Sequence, residues 1–189
     1  MNITFEVNSA DIRYVENKLK GMEEKAPGAF KNAINRTATK VRKKITSGAK
    51  ETYAVQDNKT ITEKVKTQRA SPARLTAYVR ARGGPLEIPK FRYEVSEEGV
   101  RAEILRGRGL GEPIGPRGRR AFANPAKTEH IMQRTGKTRK PLQAVRTISV
   151  PEMAKRVYKG ECGSQGSLEP LIQKTLHDEI AAEVARLTR

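Results

Sequence analysis

Tryptophan is absent from this chain, cysteine occurs once, at Cys162, and histidine twice, at His130 and His177. A lone thiol closes no internal disulfide, and these three residues make no cluster at metal-ligand spacing. Neither a disulfide framework nor a structural zinc is expected. The acidic residues are scattered and offer no ligand set for magnesium, so no metal or other cofactor is expected. Long apolar runs are missing too. Hydrophobic residues make up 36% and the mean hydropathy is −0.69, and no segment approaches the roughly 18 uncharged residues of a membrane helix. No membrane is expected among the partners. Met1-Asn2-Ile3-Thr4-Phe5-Glu6 has neither the basic start nor the apolar stretch of a signal peptide. This predicts retention in the compartment of synthesis, and makes the Asn-X-Thr matches at Asn2, Asn35 and Asn58 chance.

Positive charge is what the chain has in excess. Lys and Arg number 38 against 21 Asp and Glu, a net +17. Residues 25–50 hold 8 basic and no acidic residues, residues 101–150 hold 12 basic and 3 acidic, and the remainder is neutral in sum. Charge confined to two segments makes a local positive field, which suits a polyanion or an acidic protein surface. The plain alternative is a solvated face. In residues 101–150 arginines outnumber lysines nine to three, and the guanidinium fork grips phosphate and carboxylate bidentately. Aromatic residues are scarce in both basic segments, with only Phe30 and Phe122. Attraction to a duplex backbone, or docking on an acidic protein, therefore fits better than base stacking.

The 189 residues suggest one domain or one with a helical appendage, burying one modest core. Ile3, Phe5 and Val7 alternate as in a half-buried strand. Asn8 or Ser9 then caps a helix to about Glu24, with Ile12, Val15, Leu19 and Met22 on one face. Pro27 suits the first turn of a long second helix to Gly48. Its stripe is Phe30, Ala33, Ile34, Ala38, Val41 and Ile45, and its outside is cationic: Lys31, Arg36, Lys40, Arg42, Lys43 and Lys44. Thr60-Ile61-Thr62-Glu63 matches a capping box, predicting a short helix that ends near Ser71-Pro72. Leu75, Ala77, Val79 and Ala81 alternate with polar residues, the clearest strand of the chain. Gly83-Gly84-Pro85 turns the chain, and Leu86 to Arg92 reads as extended. Val100, Ala102 and Ile104, then Phe122 and Ile131, mark further strands.

Gly107 to Arg120 holds five glycines and two prolines, which argues against a packed element and predicts a long basic loop, mobile until a partner orders it. Pro151 starts a short helix through Tyr158, and Gly160, Gly163 and Gly166 form a connection. A last helix begins near Leu168, with Leu171, Ile172, Leu176, Ile180, Val184 and Leu187 on one side. The fold class is therefore α+β: a small antiparallel sheet, or a partial barrel or sandwich, packed with long amphipathic N-terminal helices and a C-terminal helix. Residues 1–159 are expected to form the domain, with the mobile loop at 107–120, and residues 160–189 a linker and amphipathic helix.

Catalytic motifs are weak. Thr135-Gly136-Lys137-Thr138 resembles the end of a phosphate-binding loop, but the glycine needed five positions earlier is Ile131. Gly107-X-Gly109 lacks its third glycine, since position 112 is Glu112. His130 and His177 read better as structural or exposed than as general bases, and Cys162 as a silent thiol. No enzyme is expected.

Several segments nevertheless form a pattern. They are Ala33-Ile34-Asn35-Arg36-Thr37-Ala38-Thr39-Lys40-Val41-Arg42, Lys66-Thr67-Gln68-Arg69-Ala70-Ser71, Leu75-Thr76-Ala77-Tyr78-Val79 and Pro85-Leu86-Glu87-Ile88-Pro89-Lys90-Phe91. Ala121-Phe122-Ala123, Gln133-Arg134-Thr135-Gly136-Lys137, Lys140-Pro141-Leu142 and Ser149-Val150-Pro151-Glu152-Met153 follow. In this order they resemble the minor tail protein Z family of bacteriophages, over about residues 29 to 154. Where relatives often carry Gly-Pro before the Ser-Val-Pro segment, this chain has Thr147-Ile148. The resemblance implies a non-catalytic virion protein, made in the bacterial cytoplasm, that completes the tail at its junction with the head. It further implies a homo-oligomeric ring, expected to be a hexamer, with the tail terminator or tail tube and the head connector as partners. Non-specific contact with genomic double-stranded DNA is a further expectation. Arg117, Arg119, Arg120, Lys137, Arg139 and Lys140 are the residues expected to meet the DNA or an acidic neck protein. The alternative is a basic nucleic-acid-binding protein that works alone.

Overall fold

In the first strand, β1 (Asn2–Phe5), Ile3 and Phe5 point inward and are buried while Asn2 and Thr4 stay exposed. This computed structural model describes residues 1–115, 118–124, 127–161 and 166–188. Asn8 caps helix α1 (Ser9–Lys18), its side-chain oxygen accepting a hydrogen bond from the Asp11 backbone N–H at 2.8 Å. The helix stops well short of Glu24, because Gly21 turns the chain at φ +80° and a 3-10 turn, Glu23–Lys25, follows. Its inward face is also rotated from the expected one. Val15 and Leu19 are buried, but Ile12 is 40% exposed and Asp11, at 2%, takes an inward position.

Helix α2 (Ala26–Thr52) has Pro27 in its first turn and buries the expected stripe. The capping box does not form. Thr60 lies inside the one-turn helix α3 (Lys59–Thr62), which starts after Asn58, and the chain then enters strand β2 (Val65–Gln68) instead of continuing helical. Strand β3 (Ala77–Ala81) lies between β1 and β2 in an antiparallel sheet of order β1-β3-β2. Ala77, Val79 and Ala81 are buried on the face packed against α2, and Tyr78 and Arg80 lie on the opposite face.

The rest of the strands form small antiparallel units rather than one sheet. The stretch from Leu86 to Arg92 is split into β4 (Pro85–Glu87), a 3-10 turn at Ile88–Lys90, and the start of β5 (Arg92–Ser96). The Pro89 ring fixes φ and suits such a turn. β5 pairs with β6 (Gly99–Glu103), and β7 (Ile114–Gly115) with β8 (Arg119–Arg120). β9 (Phe122–Asn124) and β11 (Leu142–Ala144) flank β10 (Lys127–Arg134). β12 (Arg146–Ser149) pairs with β4, where the Thr147 hydroxyl donates to the Leu86 carbonyl at 3.2 Å. Ile88, Val100, Ala102, Ala121, Ile131 and Val145 make a second buried cluster beside the main core, and Ile104 packs against both.

Residues 107–120 thus contain a short ribbon where an element-free loop was expected. Gly111 exchanges two backbone hydrogen bonds with Ala102, at 2.8 and 3.0 Å, and the buried Glu103 carboxylate accepts from the Gly107 N–H at 2.6 Å. The glycines that argued against structure supply the turns instead, with φ of +82° at Gly107 and +68° at Gly118. Pro116 and Arg117 lie outside the described residues.

Ser149 caps α4 (Val150–Lys159), with Pro151 in its first turn and left-handed Gly160 ending it. A Cβ on Gly48 would lie 2.8 Å from Val157 Cγ1, so α2 and α4 approach closely there. Helix α5 (Glu169–Leu187) lies along α2 and buries Ile172, Leu176, Ile180 and Val184 in the main core. It is therefore part of the core rather than an appendage to residues 1–159.

Candidate polyanion or partner interface

Five of the six residues expected to meet a partner fall among the described residues, in two groups: Arg119 and Arg120, and Lys137, Arg139 and Lys140. Arg119 and Arg120 form β8. The Arg120 Nε forms an ion pair with Glu112 Oε1 at 3.0 Å, and its side chain remains largely exposed. Arg119 is half-buried, and its Nε is buried with no hydrogen-bond partner among the described residues. Such a donor loses its water without a replacement, a net penalty to the fold. Arg117 lies outside the described residues.

Lys137, Arg139 and Lys140 project from the bend between β10 and β11, and all are exposed. The bend is tied by Thr135, whose N–H and hydroxyl both donate to the Pro141 carbonyl at 3.2 and 3.0 Å, and by the Thr138 hydroxyl on the Lys140 carbonyl at 2.5 Å. None of the three cations forms an ion pair among the described residues. β8 contacts β10, but no hydrogen bond among the described residues joins the two groups. The Gly136-Lys137-Thr138 motif sits between antiparallel strands, not between a strand and a helix N-terminus, so it lacks the amide cradle of a phosphate-binding loop.

The cationic outside of α2 is partly spoken for by the fold. Arg36 and Lys40 meet Glu183 and Glu179 of α5, at 2.6 and 2.5 Å. Arg42 turns toward α3 and β2, donating from Nε to the Val65 carbonyl at 2.7 Å and from Nη2 to the Thr62 carbonyl at 3.1 Å. Lys43 and Lys44 remain exposed. Below this helix, Asn35 clasps the segment after β2: its amide donates to the Ala70 carbonyl at 3.1 Å and accepts from the Ala70 N–H at 2.8 Å. Lys31, Arg36, Lys40 and Arg69 line an open groove of about 680 Å³ around this clasp.

The histidines behave as structure or surface. His130 is exposed on β10, while His177 Nδ1 lies 2.8 Å from the buried Asp11 carboxylate, with the Tyr14 ring beside it. Cys162 is outside the described residues, and among those described no three His, Cys, Asp or Glu converge as metal ligands. Among the described residues, no helix is long and apolar enough to cross a membrane. The Tyr158 phenol is pushed above its ordinary range by burial and then by the Glu169 carboxylate, but it lies on α4, outside the candidate set. Sequence reasoning passed over a further basic surface, on the outer face of the β1-β3-β2 sheet, because its segment is near neutral in sum. No family model, curated protein or solved structure matches the chain.

Proposed function

We propose that the protein is a virion structural protein of the minor tail protein Z type, a tail-completion subunit at the head–tail junction. In this reading it forms a ring, sixfold in the particle, between the tail terminator or tail tube and the head connector, and acts by docking rather than by chemistry. The observation that carries the reading is the Asn35–Ala70 clasp. It joins two of the segments that resemble the family, Ala33 to Arg42 and Lys66 to Ser71, by two hydrogen bonds. Of the apolar residues in the other segments, Val79, Ile88, Phe91, Val150 and Met153 are buried, while Leu142 is exposed. The resemblance therefore involves residues that build the fold, which a chance match of surface residues would not. The exposed cations of the 135–140 bend, which form no ion pair among the described residues, supply docking groups for an anionic partner.

The test is to silence the gene in a phage that encodes it and to image the particles. Filled heads and finished tails that fail to join, with ring density in the wild-type neck, are expected. Normal joining overturns the reading and leaves the competing one, a basic protein that binds nucleic acid on its own. Reversal of Arg117, Arg119 and Arg120 to Glu together then separates two uses of the charge. Failure to join marks a protein interface, whereas joined particles with defective ejection mark contact with the DNA.

A further inference from the structure

Residues 51–100 hold 9 basic and 7 acidic residues, and the fold sorts them. Tyr78 and Arg80 lie on the solvent side of β3, and Arg82 continues their row. The register sets Lys66 opposite Arg80 and Gln68 opposite Tyr78. The Arg82 N–H donates to the Lys64 carbonyl at 3.0 Å and carries the ladder one residue on, so Lys64 stands beside Arg82. On the other side of β3, β1 adds the exposed, uncharged Asn2 and Thr4. Like charges thus face each other twice across the β2–β3 pair, an arrangement that destabilises a sheet when nothing neutralises it. Lys64, Lys66, Arg74, Arg80 and Arg82 form no ion pair among the described residues. Acidic residues of the same segment are engaged elsewhere, Glu87 with Arg146 and Glu98 with Arg101. Among the described residues, Glu63 is the single carboxylate lining the groove of about 410 Å³ that Lys64, Lys66, Arg80 and Arg82 share.

Two guanidinium groups on this face are held in place. The Arg80 and Arg74 guanidinium carbons lie over the Tyr78 ring, 5.0 and 5.9 Å from its centroid. Arg80 Nε also donates to Asn2 Oδ1 at 3.3 Å, and its Nη donors make no hydrogen bond among the described residues. Stacking on a ring removes rotamer freedom before any ligand arrives and leaves the fork free to bind.

We propose that the outer face of the β1-β3-β2 sheet binds the phosphate backbone of duplex nucleic acid, independently of sequence. An acidic protein partner fits less well, because protein interfaces centre on apolar anchors, and the residues placed on this face (Asn2, Thr4, Lys64, Lys66, Gln68, Arg74, Tyr78, Arg80 and Arg82) include no aliphatic side chain. A single strand fits less well, because the one ring is already covered by guanidinium groups and leaves no open stacking platform. The proposal stands whether or not the protein belongs to a phage neck.

The test uses the full chain, a short random-sequence DNA duplex and fluorescence anisotropy across a salt series. The sheet variant Lys66→Gln/Arg80→Gln/Arg82→Gln is compared with Lys137→Gln/Arg139→Gln/Lys140→Gln, which removes the same charge from the 135–140 bend. The sheet variant is expected to bind at least about tenfold more weakly and to flatten the slope of log K against log salt by about 3, since each lost phosphate contact removes close to one. The bend variant is expected to lose less than about threefold on the same reasoning. Equal losses in both variants overturn the proposal, as does competition by polyglutamate as effective as by duplex DNA. Arg80 supports the sheet, so Lys66→Gln/Arg82→Gln, which leaves the Tyr78 and Asn2 contacts in place, serves as the second variant. It is expected to flatten the slope by about 2, and an unchanged slope in a folded variant overturns the proposal.

Discussion

Arg36 Nη1 lies 2.6 Å from Oε1 of Glu183, a carboxylate on the neighbouring helix that is only 1% exposed. The contact is a close ion pair rather than an aligned hydrogen bond, for Oε1 has no hydrogen-bond partner among the described residues. The other oxygen accepts from Asn32 at 3.2 Å and from Arg186 at 2.8 Å. A charge of α2 is thus spent on holding α5. Arg36→Met is expected to destabilise the fold by about 1–3 kcal/mol, because a buried carboxylate loses its closest cation. Arg36 is itself half exposed, and the remaining partners keep the loss at the lower end. The double variant Arg36→Met/Glu183→Leu should recover most of it. Urea unfolding of the two single variants and the double variant measures the coupling, and additive losses would show that the pair contributes nothing of its own.

Gly48 is expected to resist even the smallest substitution. Alanine is the better helix former by about 1 kcal/mol, yet its Cβ would lie 2.8 Å from the Val157 Cγ1, on a branched and buried side chain. Overpacking of this kind costs about 1–3 kcal/mol, so Gly48→Ala should be net destabilising. Adding Val157→Ala makes room for the methyl, and the double variant should be more stable than the two losses summed. A Gly48→Ala chain as stable as wild type in chemical denaturation would show that α2 and α4 separate freely.

Much of this architecture was legible because period and register are local. The alternation of Ala77, Val79 and Ala81 and the stripe from Phe30 to Ile45 each identify one buried face without knowledge of a partner. α1 was harder to read, since an inward Asp11 is acceptable only when His177, far along the chain, arrives to pair with it. The capping box failed because Thr60-Ile61-Thr62-Glu63 is one of several local solutions. Pairing of β2 with β3 and the Arg42 bonds to Thr62 and Val65 end the helix after a single turn. Charge counting found the two basic segments, but a sum over 51–100 cannot show that cations occupy one face of a sheet. It also cannot show that cations of α2 are neutralised by carboxylates far along the chain, as Arg36 is by Glu183 and Lys40 by Glu179.

His177 is expected to matter more to stability than its half-exposed ring suggests. Its Nδ1 is 2.8 Å from an oxygen of Asp11, whose side chain is 3% exposed. Removing the ring leaves a buried acceptor with no partner, whereas removing both groups does not. His177→Ala should therefore destabilise by about 1–3 kcal/mol, within the range for an orphaned buried group. Asp11→Ala/His177→Ala should lose less than the two single losses summed. Thermal unfolding at neutral pH decides this, and a His177→Ala variant within about 0.5 kcal/mol of wild type, the range of ordinary surface changes, would make the pair incidental.

Arg42 and its neighbours test which cations of α2 are structural. Arg42 reaches two backbone carbonyls from two different nitrogens, at 2.7 and 3.1 Å. One carbonyl belongs to the last residue of α3 and the other to the first residue of β2, so a single guanidinium holds the corner where helix gives way to sheet. Lysine keeps the charge but offers a point donor on a flexible stem and cannot span both acceptors in the same fork. Arg42→Lys is expected to destabilise by about 1.5–3 kcal/mol, the worth of one charge-assisted hydrogen bond lost. Lys43→Gln and Lys44→Gln, whose side chains are exposed, should each stay within about 0.5 kcal/mol. Hydrogen exchange supplies the local readout: in Arg42→Lys the amides of residues 61–66 should lose protection before those of Ala77–Ala81, because the corner loosens while the central strand keeps both neighbours. Equal stability of all three variants would return Arg42 to the solvated face.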